Sequence, residues 1–83
     1  LNISNTQKQE KMETRTKNTE YAKITWTEKK ATNSALNKGW LVIIEKVHTS
    51  KINGAITIEK FYSMGMNDFF NGGITHKFYT KFK

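Results

Sequence analysis

The chain has 83 residues, with 14 Lys and Arg against 7 Asp and Glu, a formal net charge of +7, and neither Cys nor Pro. This length holds one small domain and no second. The missing Cys excludes a disulfide scaffold, a thiolate metal site and a cysteine nucleophile. The longest apolar run, Trp40-Leu41-Val42-Ile43-Ile44, is far short of the roughly 20 residues that span a bilayer. No signal-peptide pattern opens the sequence, so the expected location is cytoplasmic, with the cytoplasm of an infected bacterial host included.

Residues 1–19 are polar, with Leu1, Ile3 and Met12 as the apolar exceptions. Ser4-Asn5-Thr6-Gln7 fits a capping box, but no apolar stripe follows on which a helix could pack. The segment reads as a flexible polar arm that orders on a partner, with a short helix or an edge strand at Met12–Thr16 as its structured candidates. Residues 20–83 read as a single β-rich domain.

Tyr21–Glu28 alternates: Ala22, Ile24 and Trp26 point one way, Tyr21, Lys23, Thr25 and Thr27 the other, as in a half-buried strand. Residues 29–39 fit either a long hairpin loop or a short helix capped by Thr27 and stopped by Gly39. The loop is favoured because Thr32-Asn33-Ser34 interrupts the segment. Trp40–Thr49, apolar on both faces through Ile44, is the candidate central strand. Asn53-Gly54 signals a two-residue hairpin turn leading into a returning strand, Ala55–Ser63. Met64–Gly73 reads as an irregular, glycine-punctuated loop. Ile74–Phe82 is the last strand, with Ile74, His76, Phe78 and Phe82 on one face and Thr75, Lys77, Tyr79 and Lys81 on the other. The expected fold is mainly β: a small antiparallel meander of four to five strands, curled into a partial barrel, with room for one short helix.

A chain this short buries only about 60–65% of its unfolded surface. A partner, a homo-oligomer or a larger assembly would therefore stabilise it. The basic excess points to a polyanion, either nucleic acid or an acidic protein. Thirteen of the fourteen cations are Lys, and Arg15 is the single Arg. Lysine acts as a point charge, whereas Arg reads guanine and phosphate bidentately, so nucleic-acid binding would follow the backbone rather than the sequence. The abundance of Lys, Asn, Ile, Phe and Tyr is also what an AT-rich genome would encode.

Four constellations could carry chemistry. The first is a Lys/Tyr sheet face, with Tyr21, Lys23, Lys77, Tyr79, Lys81 and Lys83 offering stacking surfaces in a positive field; an ordinary solvated face explains the same residues. In the second, the two-residue turn would set His48 opposite Glu59, a weak acid-base candidate that an ordinary cross-strand polar pair explains better. The third is a metal site built from His48, His76, Glu45, Glu59 or Asp68. It matches no trusted ligand spacing, so neither metal nor cofactor is expected. The fourth is the Met64, Met66, Phe69 and Phe70 loop, which is either an adaptable protein-docking patch or a plug for one end of the fold.

The leading expectation is a small non-enzymatic module that binds nucleic acid without sequence preference through the Lys/Tyr face. The alternative is a protein-interaction component: a phage or mobile-element inhibitor, an accessory subunit, or a structural piece of a larger assembly. A small basic ribonuclease using His48 with Glu59 or His76 ranks third.

Overall fold

The alternating segments pair into one five-stranded antiparallel sheet in a computed structural model that describes residues 13–82. The elements in chain order are β1 (Thr14–Asn18), β2 (Ala22–Lys30), α1 (Asn33–Asn37), β3 (Val42–Ser50), β4 (Ile56–Ser63), α2 (Met66–Phe70) and β5 (His76–Phe82). Spatial order follows chain order, so the sheet is a meander with β3 at its centre and β1 and β5 as edges. It is open rather than closed. The edge strand sought near Met12–Thr16 lies at Thr14–Asn18, paired with β2 from Thr14 opposite Thr27 to Asn18 opposite Lys23. The remaining arm residues, 1–12, are outside the described region.

Side chains directly opposite each other across antiparallel strands share a face. One face carries Arg15, Ile24, Trp26, Glu28, Ile44, Lys46, His48, Glu59 and Phe61. Helix α2 packs on this side, which we call the helix face. Trp26 meets Phe70 edge-on at 4.9 Å, and Phe61 meets Phe69 at 5.1 Å. Met66 and Ile44 are 2% and 0% exposed, so Met66 is the anchor of α2. The Glu28 carboxylate accepts the Met66 N–H at 3.0 Å, satisfying a donor that opens the helix. Arg15 lies 4.8 Å over the Phe70 ring and donates to Glu13 and Asn67, tying edge strand β1 to α2. The other face carries Lys23, Thr25, Lys29, Ile43, Glu45, Val47, Ile58, Lys60 and Tyr62. No helix packs across it, and we call it the open face.

Several local expectations need correction. Residues 29–39 contain a helical turn, α1, rather than a plain loop. Thr32 stands at its N-cap in extended geometry, so the polar triplet that looked like an interruption is the helix start. Gly39 ends it at φ +96°, with its N–H on the Leu36 carbonyl and the Trp40 N–H on the Ala35 carbonyl, a Schellman closure. Met64–Gly73 likewise holds α2. Gly72 (φ +83°) closes it in the same way, and the Gly73 N–H reaches the Asp68 carbonyl.

The β3–β4 hairpin has a four-residue loop, residues 51–54, rather than a two-residue turn. The Ser50 hydroxyl accepts the Ile52 and Asn53 N–H groups, and Asn53 Oδ1 accepts the Ala55 N–H at 2.9 Å. Asn53 thus builds an Asx turn inside the loop instead of occupying its tip. The pairing therefore slides by two residues, so His48 faces Thr57, and Glu59 faces Lys46. The expected His48–Glu59 pair does not form. A two-residue slide keeps every side chain on its original face, so the face assignments survive.

In β5 a bulge interrupts the alternation. Lys60 pairs with Tyr79 but Phe61 pairs with Lys77, leaving Phe78 as the extra residue. His76 and Phe78 both stack with Tyr62 on the open face, at 6.1 and 4.1 Å. Tyr79 and Lys81 lie on that same face, whereas Lys77 and Phe82 lie on the helix face. The expected grouping of Phe82 with His76 and Phe78, and of Lys77 with Tyr79 and Lys81, is therefore wrong.

The apolar core is small: Ala22, Ala31, Ala35, Ile44 and Met66 are the buried hydrophobic residues among those described. The radius of gyration is 14.7 Å, against about 11–12 Å for a compact domain of this size. The fold is essentially one layer with a helix on half of one side.

Candidate nucleic-acid interface

The open face combines charge with aromatic rings, and strand register explains how. Reading across it, Lys29, Ile43, Tyr62 and His76 form one row. Thr27, Glu45, Lys60 and Tyr79 form the next, and Thr25, Val47, Ile58 and Lys81 the third; Lys23 begins a fourth beside Thr49 and Ile56. The face holds four lysines against the single carboxylate Glu45. Glu45 is shared by Lys29 at 3.1 Å and Lys60 at 3.8 Å. Lys23 and Lys81 have no ion-pair partner among the described residues.

The rings form a stack. Trp40, just ahead of β3, lies 6.1 Å from Tyr62 with planes 19° apart. Phe78 lies 4.1 Å from Tyr62 at 6°, and His76 lies 6.1 Å from it at 9°. Tyr79 stands beside this row, 41% exposed, with the Lys60 ammonium 5.4 Å from its ring centre. Such a cation–π contact holds both groups upright on the sheet.

Of the residues expected to bind nucleic acid, the structure brings Lys23, Tyr79 and Lys81 onto one face. Lys23 in β2 and Lys81 in β5 are three strand spacings apart across the sheet and one row apart along it, about 16 Å. Tyr21 is exposed on the β1–β2 turn, where the Thr19 hydroxyl accepts its N–H at 3.2 Å. Lys77 sits on the helix face, bonded to Glu59 at 3.2 Å, and does not join the others. Lys83 is outside the described residues. Sequence reasoning missed Trp40, Tyr62, His76 and Phe78 as a group. Strand parity alone would have set Tyr62 beside Tyr79, but the bulge that recruits Phe78 leaves no simple mark in the sequence.

The Met/Phe loop is split by its helix. Met66 is buried and cannot contribute to an exposed docking patch, Phe69 is half-buried against Phe61, and Met64 and Phe70 remain exposed. Neither candidate acid-base pair is assembled. Glu59 is held by Lys46 at 3.6 Å and by Lys77, and His76 is on the opposite side of the sheet from His48 and Glu59. Among the described residues no three His, Asp or Glu side chains gather into a metal-binding group. No helix among them is long and apolar enough to cross a membrane. Comparison with models of protein families, with curated proteins and with solved structures finds no match in any of the three.

Proposed function

We propose that the protein binds nucleic acid through its open sheet face, without sequence preference and without catalysis. One observation carries this reading: the face with no helix on it sets Lys60 and the unpaired Lys81 beside exposed Tyr79 and a stacked row of rings, with the unpaired Lys23 on the same face at its opposite corner. Ammonium groups neutralise phosphates, and rings accept any base, since every base has a π-face. The single Arg supports the lack of sequence preference. Arg15 is engaged with Glu13, Asn67 and Phe70 on the other side of the sheet, so no guanidinium on the open face reads base edges. Such a protein would act wherever polynucleotide is accessible, in a cytoplasm of its own or of an infected host.

The test is a titration of labelled mixed-sequence RNA and DNA, read by fluorescence anisotropy. Two to four engaged lysines imply a fall in single-strand affinity of roughly 10- to 100-fold between about 50 and 300 mM salt. Affinity unchanged over that range, or unchanged in the double variant Lys23→Glu/Lys81→Glu, overturns the proposal.

A second reading has its own support. Ile74 is 79% exposed and Phe82 73%, with Leu41 and Met64 also open, while few apolar side chains are buried. Exposed apolar surface on a thinly packed sheet suits a component of a protein assembly, such as an inhibitor, an accessory subunit or a structural piece. It requires a stoichiometric protein complex that survives high salt. A chain that stays monomeric and captures no specific protein from its host removes this reading.

A further inference from the structure

We infer that the open face takes its polynucleotide as a single strand, with unpaired bases stacked against the Trp40–Tyr62–Phe78 row and phosphates directed to Lys60 and Lys81. This inference rests on the nucleic-acid reading above and specifies its substrate class.

Ring geometry is the first support. Successive planes in this row are close to parallel, Trp40 to Tyr62 at 19° and Tyr62 to Phe78 at 6°, and run from just ahead of β3 through β4 to β5 as a short stack standing on the sheet. The outer rings of such a stack continue naturally into a stack of bases. Bases in a duplex already have both faces covered by their neighbours, so a duplex leaves these rings without a partner. A single strand, whose bases splay freely, fills them.

The placement of charge is the second support. In β4, Lys60 precedes Tyr62 by the two-residue interval of one face, and in β5, Lys81 follows Tyr79 by the same interval; because the strands are antiparallel, both lysines lie to the same side of their rings. Each of these two strands thus sets one ammonium group one row beyond a ring. Glu45 sits on the β3 side of Lys60 and repels phosphate there, which confines the phosphate path toward β5.

The test compares a single-stranded oligonucleotide with its own duplex at equal length and equal low salt. It uses the wild-type chain, the variant Phe78→Leu, and the double variant Lys23→Glu/Lys81→Glu. The wild type is expected to bind the single strand at least tenfold more tightly. Phe78→Leu keeps the apolar bulk on an exposed edge strand and removes one ring. It should weaken single-strand binding about fivefold or more while leaving residual duplex binding unchanged. The lysine double variant should weaken both. Equal wild-type affinity for the two forms, with both lost in the lysine variant, overturns the single-strand inference and leaves nucleic-acid binding standing. Single-strand affinity untouched by Phe78→Leu overturns it too. No binding of either form by the wild type overturns both this inference and the function it rests on. Retention of the wild-type thermal unfolding transition by each variant shows that the comparison is made between folded proteins.

Discussion

The two faces of the sheet are built from the same alternating strands yet are used in opposite ways. On the helix face, most charged side chains are locked into structural contacts, Lys17 on edge strand β1 being the exception. Glu28 caps α2, Arg15 clasps Phe70 and Asn67, and Glu59 holds both Lys46 and Lys77. On the open face, one carboxylate, Glu45, pairs with two of the four lysines, and the large rings stack on each other, with no helix above them. In a single-layer protein, one side thus supplies most of the fold's cohesion and leaves the other chemically available. A second packed layer would have given more stability and covered the rings.

The sharpest way to break this division is to empty the centre of the helix face. Ile44 is fully buried, so Ile44→Ala should cost about 2–5 kcal/mol and lower the melting temperature by roughly 10 °C or more. Ile58, on the open face of β4, is only half-buried; Ile58→Ala should cost about 1 kcal/mol or less, by the same urea or thermal unfolding measurement. Equal costs at the two sites would show that cohesion is not concentrated on the helix side.

A smaller effect is expected where α2 is fastened. Glu28→Ala removes the carboxylate that accepts the Met66 N–H and should destabilise by about 1–2 kcal/mol. Faster hydrogen exchange should follow at Met66–Phe70, with little change in β5. Protection lost evenly over the whole sheet would mean that α2 is not an independent fastening. Next in size, Gly39→Ala puts a side chain into the left-handed region at φ +96°, for about 1 kcal/mol of lost stability in chemical denaturation. The smallest stability change belongs to Lys23→Glu/Lys81→Glu. Both side chains are exposed and unpaired, so unfolding should shift by less than about 0.5 kcal/mol. The salt dependence of polynucleotide binding should nevertheless become shallower by about one unit of log–log slope per lysine. That pairing of outcomes separates a binding face from a structural one.

Much of the sheet was legible because period-two patterning is local. Ala22, Ile24 and Trp26 do lie opposite Lys23, Thr25 and Thr27, and the run through Ile44 does mark the central strand. Tertiary contacts and single-residue irregularities were not legible. Met66 forms a helical turn because Glu28, 38 residues earlier, caps it and Ile44 and the facing rings give it a bed. Thr32-Asn33-Ser34 is polar either as a loop or as a helix start, and the Gly39 closure decides between them. In the hairpin, Asn53 could serve a two-residue turn or an Asx turn, and Ser50 selects the longer loop. The candidate face was half legible: parity placed Lys23, Tyr79 and Lys81 on one side of the sheet, while the bulge at Phe78 moved Lys77 away and brought the stacked rings in.

The most direct measurement is two-dimensional NMR of the isotope-labelled protein during titration with a short oligonucleotide at low salt. The side-chain and amide signals of Lys23, Lys60, Tyr62, Phe78, Tyr79 and Lys81 should move together and saturate at one stoichiometry, while those of Ile44, Met66 and Glu28 stay in place. Shifts concentrated on α2 and the helix face, or none anywhere, would contradict the assignment of the open face as the nucleic-acid site.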